Sequence, residues 1–159
     1  MAYVSRGFIP QTSLASNLGF TRPMYIPAGN ATATALYDIV KVSTSGSTVD
    51  TAGVPAGLMG CVRVSDKDDV PCGVIVGFIA DPDYLNQTYR SASTARVALV
   101  NYDPQVVLEA QEDDNGTTLA VARIGTPVDL VPGSIDTVTG TSGMQISSAT
   151  LAGSPGMFR

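Results

Sequence analysis

The chain carries few residues from which a catalyst could be built. It has no histidine, which removes the commonest general base, the usual serine-protease arrangement and most zinc sites together. Cys61 and Cys72 cannot complete a structural zinc site without histidine or further cysteine. With ten residues between them, they could form a disulfide if their strands are adjacent; otherwise they are two half-buried thiols. Carboxylates remain, as Asp66, Asp68 and Asp69 in one loop, Asp81 and Asp83 in another, and Glu109, Glu112, Asp113 and Asp114. Calcium takes about six to eight oxygens, but neither DKDD nor EDDNG continues into the ligand pattern of a calcium loop, and such runs read as solvated turns. No spacing singles out two acids as a glycosidase pair. The glycine clusters lack the strand-then-helix context of a phosphate loop. The residues therefore point away from an enzyme, a cofactor or a metal.

Charge narrows the partners. Nine basic residues face 14 acidic ones, for a net charge of -5, and the cations are scattered between Arg6 and Arg159. A nucleic-acid footprint would cluster them. Charged residues form only 14% of the chain against 44% hydrophobic ones, a balance opposite to that of disordered segments. A length of 159 residues suits one domain with one core. The start, MAYVSRGFIPQTS, lacks the apolar stretch of a signal peptide. The longest apolar run, residues 73–80, is too short to span a bilayer, so a soluble, cytoplasmically assembled chain is expected. The sequons at Asn30, Asn86 and Asn115 matter only in a secreted eukaryotic protein.

The elements that would position these residues are short strands. Residues 35–42, ALYDIVKV, alternate imperfectly around Asp38 and Lys41, as a half-buried strand does. Residues 43–47, STSGS, form a turn. Residues 58–64 and 73–80 follow as strands, and GVIVGFIA, with no polar position, reads as buried on both faces. Asp81-Pro82 suits a helix start, so a turn or two of helix is expected to run from Tyr84 to Tyr89. Residues 96–100 and 105–111 are strands separated by the Tyr102-Asp103-Pro104 turn. Asn115-Gly116 signals a hairpin, and residues 117–124 suit either a strand or a short helix. Residues 131–156 read as a loop-rich closure. The fold class is all-β, a small sandwich or barrel.

Residues 1–30 fit neither helical nor strand period. Phe8, Leu14, Leu18, Phe20, Met24, Tyr25 and Ile26 stand among Pro10, Pro23 and Pro27, which reads either as an extended arm burying side chains against a partner or as coil and strand wrapped on the chain's own domain. We take the arm as the expectation, with a single β domain at 31–159. Tyr3, Phe8, Ile9, Leu14, Leu18, Phe20, Met24, Tyr25, Ile26, Met157 and Phe158 are then candidate subunit or partner contacts. Removing residues 1–27 should leave the β domain folded.

Residues 73–111 resemble the central signature of a group of tailed-bacteriophage capsid decoration (cement) proteins. The ordered set is an apolar strand, Tyr89-Arg90, then Asp103, Pro104, Val107, Leu108, Glu109 and Gln111. ALYDIVKV at 35–42 is similar to a strand near the start of that domain, and GTSGMQIS at 140–147 to its late Gly-Ser-Gly turn. The likeness covers roughly residues 35–147. Members usually carry an aromatic where Leu108 stands, and they run on through another apolar strand where this chain ends at Met157-Phe158-Arg159, so a last strand would be missing or supplied by a neighbour.

The resemblance implies a non-enzymatic virion protein on the outer capsid surface, oligomeric as dimer or trimer, with arms across the major capsid protein. No membrane or nucleic-acid partner is implied. A head-fibre or tail-associated β module that binds a receptor or carbohydrate is the alternative, which the absence of tryptophan makes less favourable. Hundreds of copies per particle would mark decoration, and a handful would mark a tail or fibre.

Overall fold

The protein, described by a computed structural model, is all-β. The structure describes residues 5–13, 20–47, 54–66, 68–82, 85–114, 119–121 and 124–151. Nine strands run through them: β1 (Ile9–Ser13), β2 (Thr21–Ile26), β3 (Ile39–Ser43), β4 (Gly60–Arg63), β5 (Gly73–Phe78), β6 (Arg96–Asn101), β7 (Val106–Glu109), β8 (Val128–Val131) and β9 (Gln145–Leu151).

Five strands close into a barrel in the order β2-β4-β3-β5-β6. Four of its seams are antiparallel. The fifth joins β2 to β4 in parallel at one pair, Tyr25 with Gly60. Pro23 has no N–H to offer on β2, and a proline in a strand limits ladder pairing. Side chains alternate across each strand, and every barrel strand sends residues to the interior: Met24, Ile26, Val40, Cys61, Ile75, Ala98 and Val100 form one buried cluster.

The same alternation builds a second core outside the barrel wall. Ile39 and Val74, neighbours of Val40 and Ile75, point the other way and pack with Phe8, Val64, Leu130 and Met144. Over them lies an outer layer of two antiparallel pairs, β1 with β7 and β8 with β9. A bridge between Glu112 and Ile146 joins the pairs, through Ile146 N–H to Gln111 O at 2.9 Å and Asp113 N–H to Ile146 O at 3.0 Å. The expectation that 73–80 is buried on both faces therefore holds at Val74 and Ile75, which serve different cores, and fails at Ile79, which is 43% exposed. Pro127 and Pro132 bracket β8, and prolines beside a strand discourage further edge pairing.

The N-terminal arm is corrected. Residues 21–26 form a barrel strand paired along its whole length with β6, and Met24 and Ile26 belong to the barrel core. Phe8 fills the second core, Ile9 and Tyr25 are half-buried, and of the described members of that set Phe20 alone is a large exposed apolar residue. Pro10 and Pro23 disrupt the sequence alternation without preventing pairing: Pro10 adjoins a register shift in β1, and Pro23 keeps its place opposite Leu99 in the β6 ladder. Tyr3, Leu14, Leu18, Met157 and Phe158 lie outside the described residues.

Two further expectations change. No helix forms in 85–89; the carbonyls of Gln87 and Tyr89 accept bonds from the Arg96 guanidinium at 3.0 and 2.6 Å. Of 117–124, the described residues 119–121 and 124 form neither strand nor α-helix. The loop-rich closure expected after residue 131 contains β9, which pairs with β8 of its own chain.

Because β2 is a barrel strand, deletion of residues 1–27 should abolish cooperative unfolding. The milder Ile26→Ala should cost ~2–5 kcal/mol as a buried large-to-small change. Urea unfolding followed by circular dichroism measures both; a truncated chain that still melts cooperatively would contradict this topology.

Candidate functional site

Asp38 is a fully buried acidic residue. It sits in the turn leading into β3 and has no solvent exposure. Its Oδ2 accepts the Ala35 amide at 2.8 Å, and its Oδ1 accepts the Ser142 hydroxyl at 2.5 Å. Arg63 Nε, from the end of β4, lies 2.9 Å from the same Oδ1, a close ion pair rather than an aligned hydrogen bond. Arg63 also donates to Gly133 O at 2.5 Å. Burial pushes the Asp38 pKa up, against the opposing pull of Arg63, Ser142 and the Ala35 amide.

The backbone around Asp38 is equally committed. Tyr37 adopts a left-handed φ of 67°, a conformation costly for a non-glycine residue, and is held there by its N–H to Ile75 O at 2.8 Å and by Phe8 N–H to its own carbonyl at 3.0 Å. Gly7 meets this turn so closely that a Cβ would lie 2.6 Å from Tyr37 O, and its φ is itself +73°. Leu36 exchanges bonds with the 140–142 segment, N–H to Gly140 O at 3.0 Å and Ser142 N–H to Leu36 O at 2.8 Å.

Arg90 forms a second buried hub. Fully buried, it donates to four backbone carbonyls: Thr94 at 2.6 Å, Thr32 at 2.6 Å, Pro27 at 2.9 Å and Asn30 at 2.8 Å. Burial draws its pKa down to about 10, so it is charged at neutral pH. Its backbone also pairs with Thr34. Lysine could not reproduce this fork, which depends on a planar guanidinium.

These hubs bring together residues the sequence singled out. Stretches 35–42 and 140–147 meet through Leu36, Asp38 and Ser142, and Arg90 ties in the strand-leading segment at Thr34. Asp103 and Pro104 form the turn from β6 to β7, with Asp103 Oδ1 accepting the Gln105 amide at 2.9 Å. Leu108 packs on the second core, and Gln111 O accepts Ile146 N–H. Glu109 is exposed and accepts from Gln11 at 2.6 Å. Most of this motif is therefore structural. Tyr89 is half-buried and Val107 is exposed. Sequence reasoning missed the roles of Asp38, Arg63 and Ser142, whose separation along the chain carries no local pattern.

The candidate chemical groups are occupied by structure. Asp69 takes Lys41 at 2.5 Å and the amides of Ser65 and Asp66 at 3.0 and 3.1 Å. Burial works upward on its carboxyl, and these bonds outweigh that and hold it below the usual range. Among the described residues, no group of three or more His, Cys, Asp or Glu could hold a metal ion. Both thiols are free, Cys61 in the barrel core and Cys72 against it. Burial pushes Cys61 up to about 12 and raises Cys72 as well, which disfavours the reactive thiolate. No helix among the described residues is long and apolar enough to cross a membrane.

An aromatic pair faces outward. Phe20 and Tyr102 are exposed large side chains, with ring centroids 6.2 Å apart and planes tilted by 40°. The Arg22 guanidinium lies 5.6 Å from the Tyr102 ring centre. Their backbones are tied by Tyr102 N–H to Phe20 O at 2.9 Å. A cleft of about 250 Å³ adjoins Tyr102, lined in part by Pro71, Cys72, Pro104 and Leu108. Aromatic and arginine side chains dominate the energetics of protein interfaces.

The fold defines an all-β protein centred on a five-stranded barrel. Compared with known proteins, the chain matches no family model, no curated protein and no solved structure.

Removing the side chain would leave the Ser142 hydroxyl, the Ala35 amide and Arg63 without their buried acceptor, so Asp38→Ala should cost ~3–5 kcal/mol. The folded pKa lies above the ordinary 3.8. Asp38's own contribution is thus fully present below that value and is lost as pH rises through the folded value. The deficit of the variant should be larger at pH 3.5 than at pH 7. Paired urea titrations measure it, and a deficit that shrinks in acid would contradict the assignment.

Proposed function

We propose that the protein is a capsid decoration protein of a tailed bacteriophage, one that binds the outer face of the shell formed by the major capsid protein and bridges neighbouring capsomers. The carrying observation is the Phe20, Arg22 and Tyr102 cluster, an aromatic and guanidinium surface on a domain whose interior charges are committed to its own fold. The resemblance of 35–42, 73–111 and 140–147 to decoration proteins supports the reading, since those stretches meet around two buried hubs as parts of one framework.

The mechanism is multivalent attachment. A decoration protein needs no chemistry; it needs a frame that does not deform and several modest contacts that act together. Association costs less when the contacting groups are already fixed. The bond from Tyr102 N–H to Phe20 O fixes the backbones of the two aromatics relative to each other. The tilt between the two rings leaves them no shared plane for a sugar, so this surface suits a protein partner better than the carbohydrate of the adhesion alternative.

Shells stripped of the protein should bind it in hundreds of copies. The Phe20→Ala/Tyr102→Ala double variant should bind at least about tenfold more weakly, as loss of a contact hot spot does, with its melting temperature within a few degrees of wild type. Cosedimentation with such shells measures this. Wild-type protein that stays in the supernatant, or a double variant that binds as wild type does, would overturn the proposal.

A further inference from the structure

Lys41, Arg63, Arg90 and Arg96 all serve the fold. Lys41 pairs with Asp69 and Arg63 with Asp38, while Arg90 and Arg96 are buried and donate to backbone carbonyls. Arg22 is placed differently. It is exposed and forms no ion pair with a described residue. An acid stands close to it in the fold without answering it. Asp103 directly follows Tyr102, the residue whose ring lies under the Arg22 guanidinium at 5.6 Å, yet Asp103 is buried and its Oδ1 accepts the Gln105 amide at 2.9 Å.

The backbone beneath Arg22 is fixed. Arg22 stands opposite Val100 in the ladder between β2 and β6, and the bond from Tyr102 N–H to Phe20 O closes the end of that ladder. A guanidinium lying over an aromatic ring keeps its N–H groups, which point outward in its own plane, for an acceptor.

We propose that Arg22 binds a carboxylate of the shell protein, so that the partner's contact segment joins an acidic side chain, met by Arg22, to an apolar one seated beside Phe20 and Tyr102. The inference deepens the decoration reading and rests on it. Geometry selects the ligand, because the planar fork of arginine matches a carboxylate through two parallel bonds. The aromatic neighbours strengthen that pair on docking, since they exclude water from around it and lower the local dielectric. Charge selects it as well. A net charge of -5 repels a polyphosphate, whereas a single carboxylate seated at Arg22 lies well within the screening length of ~8 Å and meets the local cation first. A basic segment would be repelled at this point. The apolar member has its seat in the cleft of about 250 Å³ beside Tyr102, whose walls include Pro104, Val106 and Leu108.

Cosedimentation with stripped shells, run from about 0.05 to about 0.5 M salt, tests the pairing. Arg22→Gln removes the charge and the fork but keeps part of the stem; it should bind at least about tenfold more weakly at low salt, with a flatter salt dependence than wild type. Arg22→Glu sets two carboxylates face to face and should bind about a hundredfold more weakly. Both variants should melt as wild type does, because the side chain is exposed. Arg22→Gln binding with the affinity and salt dependence of wild type overturns the inference, and so does Arg22→Glu binding as tightly as wild type or more so. If the Phe20→Ala/Tyr102→Ala variant still binds weakly in that case, only the carboxylate is struck out and the decoration reading stands. Wild-type protein that fails to bind shells overturns both.

Discussion

A carboxyl group sealed from water is tolerated only when its oxygens are bonded, and those of Asp38 are met by Arg63, Ser142 and the Ala35 amide. An isolated buried charge would cost several kcal/mol or neutralise. Asp38 therefore requires the end of β4, the turn before β3 and the segment before β9 to be in place together. Those three pieces come from the barrel wall, the barrel's entry and the outer layer. The second core, with Phe8, Ile39, Val74 and Met144, forms directly beside them. The left-handed Tyr37, the close approach of Gly7 and the Leu36 bridge to residues 140–142 are all local consequences of bringing that turn against its partners.

What was legible in the sequence was the local part of this design. The strands at 39–43, 60–63, 73–78, 96–101 and 106–109 announced themselves through β-branched runs and the turns between them, because a strand's period is written in adjacent residues. β2 was hidden, since Pro23 falls inside it and its core residues Met24 and Ile26 stand beside exposed Thr21 and Arg22. β9 was hidden for a different reason: QISSATL is half hydroxylic, and Ser147 and Ser148 are buried where a pattern reader expects apolar groups. Asp38 looked like the polar position of a half-exposed strand. Its partners lie 25 and 104 residues away, a distance over which composition says nothing. Arg90 came into view through family likeness alone, the Asp103-Pro104 turn through its residue types as well, and the structure assigns both to the framework.

This framework bears on function through what it withdraws and what it leaves out. Arg90 and Arg96 are buried and Arg63 is turned toward the buried Asp38, whereas Arg22 stays at the surface beside Tyr102. Phe20 and Tyr102 lie on that surface with their backbones joined by a hydrogen bond. A protein that works by contact gains from such rigidity, since little order must be imposed when a partner arrives. In the proposed role this surface meets the shell.

All of this depends on the barrel and the outer layer behaving as one unit held at Asp38. Native-state hydrogen exchange reads that directly. The amides of Val64 and Ile75 in the barrel region, and of Ser142 and Ile146 in the outer layer, all donate to backbone carbonyls at 2.8–3.0 Å. If the layers are one cooperative unit, all four should exchange through the same global opening, with a free energy equal to that of urea unfolding. Ser142 and Ile146 exchanging through a markedly cheaper opening, while Ile75 stays protected, would mean that the outer layer comes away by itself and that Asp38 does not hold the fold together.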